Sequence, residues 1–104
     1  MPYGACRRIA ASLALLLGAG LAQAQDANLG RNLAATCANC HGTNGHARGD
    51  MRPLAGQPAQ KIVAMLADFR SGAQPATIMH QIAKGYSDEQ IRLIAAFFAA
   101  QPAK

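Results

Sequence analysis

Two cysteines stand three apart, with a histidine directly after the second, in Cys37-Ala38-Asn39-Cys40-His41. Residues three apart share one face of a helical turn, so both thiols can reach one edge of a flat macrocycle. A CxxCH run is the attachment signature of a c-type haem. The thiols add across the porphyrin vinyl groups and become thioethers, and the same tether delivers the imidazole of His41 under the iron. Cys37, Cys40 and His41 would then fix a cofactor, its orientation and one axial ligand.

Other chemistries compete for a CxxC pair. Thioredoxin-like redox chemistry needs a βαβ setting, and nothing near this motif reads as a strand. Structural zinc needs four ligands. His46 and His80 are the other histidines, and no second cysteine pair completes such a site. An iron held by one histidine has a sixth position. Left open, it binds small ligands; filled by a methionine, it transfers electrons at a raised potential. Met79 is the foremost candidate, because it lies far enough downstream for the chain to cross the haem and return on its other face. Met51, in an Arg-rich loop, and Met65, in an apolar stripe, are the competing methionines. His80 is a further alternative that would give a bis-histidine centre, and otherwise reads as a surface residue. His46 reads as a solvated loop residue. No general base or nucleophile constellation appears, so the chain does not read as an enzyme.

The elements that must hold these residues are helical. Leu29 to Cys37 reads as a first helix, with Leu29, Leu33 and Thr36 on one side and Gly30 as a costly interior glycine. Gly42-Thr43-Asn44-Gly45 breaks the chain, and His46 to Pro58 is loop. Ile62, Met65, Leu66 and Phe69 recur at helical period within Gln60 to Phe69. Ala76 to Lys84 is a short helical or turn-like segment, with Gly85 as a C′ residue. Ser87 and Gln90 form a capping box. The last helix runs from Asp88 to about Ala100, with Ile91, Ile94, Ala95 and Phe98 as its apolar stripe. No strand pattern or internal repeat appears. The fold class is all-α.

The first residues have the form of a secretory leader: Arg7 and Arg8, an apolar run from Ile9 to Leu17, and an A-x-A cleavage site at Ala22-Gln23-Ala24. The apolar run is short of the roughly 20 residues a membrane span needs. Residues 1–24 are therefore expected to be removed, Cys6 with them, leaving a single domain over residues 25–104, a periplasmic location and no stable membrane span. The formal charge of +5 becomes +3 once Arg7 and Arg8 are gone. Dispersed basic charge without interleaved aromatics does not point to nucleic acid. A domain this small is marginal without a staple or ligand, a need that a covalent haem meets.

The mature chain resembles the class I cytochromes c over almost all of its length. The resemblance is carried by Cys37-Ala38-Asn39-Cys40-His41-Gly42, Leu54-Ala55-Gly56-Gln57, Phe69-Arg70-Ser71-Gly72, Ala76-Thr77-Ile78-Met79 and Ile82-Ala83-Lys84-Gly85-Tyr86-Ser87-Asp88. The later segments look like those of the cytochrome subunit of flavocytochrome c sulfide dehydrogenase and related small single-haem periplasmic cytochromes. The resemblance implies about four short helices around one covalent haem c. In it Cys37 and Cys40 are the thioether positions, His41 the proximal ligand and Met79 the distal one. It implies a one-electron carrier in a periplasmic electron-transport chain. Its partners would be redox proteins, or a sulfide-oxidising flavoprotein if the chain is an enzyme subunit. It also implies that the terminal helices cross, with Gly30 admitting Phe97 or Phe98, and that Gln57 and Tyr86 lie near the haem within reach of a propionate; packing at a helix start is the equal alternative for Tyr86. In the family a proline carbonyl often receives the ring N–H of the proximal histidine. Here Pro53 directly precedes Leu54, where the family usually has an intervening residue.

Overall fold

The computed structural model describes residues 26–103. The expected leader, Cys6 and the Ala24 cleavage site lie outside the described residues. The described residues form four α-helices and no strand: α1 (Leu29–His41), α2 (Ala59–Ser71), α3 (Met79–Lys84) and α4 (Asp88–Ala99). A single 3-10 turn, Thr43–Gly45, follows α1. None of these helices is long and apolar enough to cross a membrane.

The first helix runs four residues past its expected end and contains the whole CxxCH run. Its buried face also differs from expectation. Leu29 and Thr36 are exposed, whereas Ala34 is buried and Leu33 and Cys37 pack against the core. Gly30 stands where α4 crosses at close range. A Cβ on Gly30 would sit 2.9 Å from the Leu93 carbonyl oxygen and 3.8 Å from Phe97 Cβ. The crossing of the terminal helices is thus as expected, with Phe97 the aromatic beside Gly30.

The fourth helix starts as its sequence requires. Gln90 N–H donates to Ser87 Oγ (3.1 Å) and Ser87 N–H to Gln90 Oε1 (2.9 Å). This reciprocal pair satisfies two otherwise orphaned donors. Ile91, Ile94, Ala95 and Phe98 are all buried. Ile94, Ala95 and Phe98 join Ala34 and Ile62 in one core cluster, with Leu66, Val63 and Tyr86 packed around it.

On α2, Ile62 is buried and Leu66 packs on the core, but Met65 and Phe69 are half-buried and lie outside that cluster. The helix ends at Gly72 in the left-handed region (φ 85°). Arg70 then ties α2 to the start of α4, donating to Asp88 Oδ1 (2.6 Å) and to the Tyr86 carbonyl (2.7 Å). The third helix is shorter than expected, beginning only at Met79. Gly85 is not left-handed; its φ of −75° continues the right-handed turn, and its N–H donates to the Ile82 carbonyl (3.1 Å). Helix α2 packs on both α3 and α4, and α1 packs on α4, while α1 and α3 share no comparable interface.

Candidate functional site

Cys37, Cys40 and His41 occupy the last turn of α1. At spacings of three and four residues they share one helical face. Cys37 is half-buried and Cys40 exposed, and neither is in a disulfide. Burial pushes the Cys37 thiol up from its ordinary value, so it stays protonated to higher pH than a free thiol. The chain leaves the helix at Gly42, whose φ of 84° and ψ of 159° belong to a region essentially reserved for glycine. A Cβ there would also lie 2.0 Å from the His46 carbonyl oxygen. The glycine after the histidine is therefore required by both torsion and space.

The turn brings the following loop back under His41. His41 Nδ1 lies 2.7 Å from the Arg52 carbonyl oxygen. A carbonyl only accepts, so Nδ1 carries a proton, and in the neutral ring Nε2 is then the nitrogen with a lone pair for a metal. The acceptor is Arg52, not the Pro53 carbonyl that the resemblance brought forward. Arg52 stands two residues before Leu54, the place the proline holds when one residue intervenes. Pro53 acts on the same bond by another route: a proline disfavours helical backbone in the residue before it, here Arg52. The guanidinium of Arg52 reaches Met65, with Nη1 3.6 Å from Sδ.

The candidate sixth ligands are in different settings. Met79 is half-buried at the first position of α3. Met51 is 42% exposed in the loop, and the Met65 sulfur is in contact with Arg52. His80 is not the surface residue its sequence indicated: it is half-buried, and its Nδ1 is fully buried with no hydrogen-bond partner. His46 is exposed but not free, since its Nε2 lies 2.7 Å from the Pro102 carbonyl oxygen. Tyr86 packs against the core cluster, and its carbonyl accepts from Arg70. Gln57 is half-buried.

Three observations fit a haem to these residues. His41 offers Nε2 as a free donor. The buried Nδ1 of His80 lacks a partner within the protein, and a buried polar group is normally paired. The helices bearing His41 and Met79 both contact the rest of the bundle but have no packed interface with each other. Among the described residues, no three of His, Cys, Asp and Glu converge as a metal cluster would need.

Sequence reasoning missed the Arg52 acceptor, the His46 tether and the burial of His80. Pro53 was a usable signal for the first. The other two had none, because the His46 acceptor is a backbone carbonyl far along the chain and the burial of His80 is a tertiary effect.

Comparison with known proteins places residues 27–101 within the family described as Cytochrome c. The cytochrome subunit of sulfide dehydrogenase from Chlorobaculum tepidum is 39% identical over 69 residues, covering 66% of this chain and 63% of that protein. Cytochrome c-554(548) from Halomonas halodenitrificans is 37% identical over 82 residues, covering 75% of this chain and 99% of that one. The thiosulfate dehydrogenase electron acceptor of Stutzerimonas stutzeri is 42% identical over 101 residues, and this chain spans 47% of its length.

Proposed function

The chain belongs to the cytochrome c family, and on that premise we propose that it is a one-electron carrier with His41 and Met79 as the axial ligands of its haem c. Cys37 and Cys40 supply the thioethers. When bound, the haem supplies a single iron that exchanges one electron. The chain's own residues bind, orient and shield it. His41 presents Nε2 with its ring plane and tautomer held by the Arg52 carbonyl, which is the observation that carries the reading. Among the described residues, Met79 is the methionine that is half-buried with no polar contact to its sulfur.

The test is the visible spectrum, oxidised and reduced, of protein made with export and haem-attachment machinery, for wild type and Met79→Ala. A long-wavelength methionine–iron band in the wild type, lost in the variant, supports the assignment. A band that survives the substitution moves the ligand to Met51 or Met65. A spectrum of two nitrogen ligands in the wild type moves it to His80.

The proposed setting is the periplasm, with residues 1–24 removed and residues 25–104 forming the cytochrome domain. The intact mass of the exported protein reads this directly. A second reading makes the chain the electron-accepting subunit of a flavin-containing sulfide dehydrogenase. The likeness to the Chlorobaculum tepidum subunit favours it. A flavoprotein that co-purifies from the native source in fixed ratio supports it, and a cytochrome that purifies alone counts against it.

A further inference from the structure

The loop that carries the Arg52 carbonyl is pinched at its base. The Gly45 carbonyl accepts from two amides on the returning limb of the loop, Leu54 (2.9 Å) and Ala55 (3.2 Å). The pinch is seated on α4: a Cβ on Gly45 would lie 2.8 Å from Phe98 Cδ1, and Gly56 N–H donates to the Phe98 carbonyl (2.9 Å). Residues 46–53 leave this base at His46 and return to it at Arg52 and Pro53. Among the described residues, the outgoing limb has one side-chain tether, His46 Nε2 to the Pro102 carbonyl beyond α4. That carbonyl only accepts, so the imidazole donates. The returning limb delivers Arg52 to His41 Nδ1 at 2.7 Å.

We propose that His46 is a positioning residue for the proximal ligand: by tethering the loop to the C-terminal segment, it holds the Arg52 carbonyl in hydrogen-bond reach of His41 Nδ1 and so sets the potential of the iron. The proposal rests on His41 as the proximal ligand. The bond at Nδ1 raises the basicity of a metal-bound imidazole, and hydrogen bonding around the ligands is one of the levers a protein has on haem potential. Loosening it makes His41 a poorer donor, which favours the ferrous state and raises the midpoint. His46 bonds to the Pro102 carbonyl and not to His41, so it would act on the ligand through the loop.

The experiment compares wild-type holoprotein with His46→Ala, with His46→Gln and with a chain ending at Gln101. It measures the midpoint potential and the exchange rate of the His41 ring proton by NMR of the ferrous protein. Amide exchange at Leu54 and Ala55 reports on the loop whatever binds the iron. His46→Ala is expected to raise the midpoint and to speed ring-proton exchange about fivefold, the factor that one ordinary hydrogen bond supplies. Glutamine offers an Nε2 donor near the place of the imidazole nitrogen, and His46→Gln is expected to restore both readings. The shortened chain should behave like His46→Ala, and adding His46→Ala to it should change nothing more. The shortening also removes Ala103 from its contact with Gly56, which is why the combined variant is needed. An unchanged midpoint and ring proton in a folded His46→Ala protein would overturn the proposal, even if the loop amides exchange faster. So would a glutamine variant as impaired as alanine, or shifts from the two changes that add in full. If His46→Ala does not fold, glutamine against the shortened chain decides. A wild-type spectrum without histidine ligation would remove the underlying assignment instead, and the loop amides would still report on the tether.

Discussion

Asp88 shows how one side chain at a helix start can carry a pH dependence. The Arg70 guanidinium that bonds it, and the charge of that guanidinium, hold its carboxyl below the usual carboxylate range. A carboxyl lowered in the fold stabilises at pH above its unfolded value, and that contribution is lost as pH falls through the lowered one. Acid unfolding of Asp88→Asn should therefore be less steep on its carboxylate limb than that of wild type. An identical limb, followed by circular dichroism against pH, would mean the pair contributes nothing in solution. Arg70 has a second duty, because it also donates to the Tyr86 carbonyl. Arg70→Ala should accordingly destabilise at neutral pH more than Asp88→Asn does. The burial of Cys37 works in the opposite sense, since a raised thiol disfavours its anion. That effect belongs only to the unreacted thiol, because a thioether does not titrate.

At the level of elements, Gly30 sets two effects against each other. Alanine is the better helix former by roughly 1 kcal/mol. Its Cβ would meet the Leu93 carbonyl oxygen at 2.9 Å, and backbone cannot swing aside as a side chain tip can. Overpacking costs about 1–3 kcal/mol, so Gly30→Ala should destabilise and Gly30→Val more so, as read by the denaturant midpoint. A stabilised Gly30→Ala would show that the helices separate at little cost. Ser87→Ala removes one bond of the capping box and should cost about 1 kcal/mol. These two features differ in how far they were legible. The capping box and the Ile91, Ile94, Ala95 and Phe98 stripe are local patterns, and the structure follows them residue by residue. The face of α1 was misread in part: Leu33 packs on the core as expected, but Leu29 and Thr36 do not. At Gly30 the close approach of α4 selects a residue without a side chain, and Leu29 is left outside. The CxxCH run was legible as chemistry and as a helical turn, and Gly42, which ends α1 directly after His41, was the local signal that the first helix continues through it.

The whole molecule has little core of its own. Among the described residues, Phe98 and Ile94 are the largest side chains that are fully buried, and several of the other buried residues are alanines. Chains of this size rarely stabilise themselves by packing alone. A Cys37→Ala, Cys40→Ala chain, which has no sites for covalent attachment, should lose its cooperative thermal transition and its near-ultraviolet circular dichroism. A sharp transition in that chain would show that the helices suffice. Phe98→Ala in the holoprotein should cost about 3–5 kcal/mol. Phe98 also supports the base of the loop under His41. Its loss should therefore shift the iron potential as well as the melting temperature.

The acceptor for His41 belongs to the main chain of residue 52, and every amino acid brings that oxygen with it. Random change in the codon for Arg52 can remove the guanidinium and expose the Met65 sulfur, yet it leaves the carbonyl in place. Heritable variation reaches the bond only indirectly, through Pro53, which constrains the backbone, or through the residues that seat the loop. Descendants of this chain can therefore vary freely at position 52 and still inherit the same histidine tautomer.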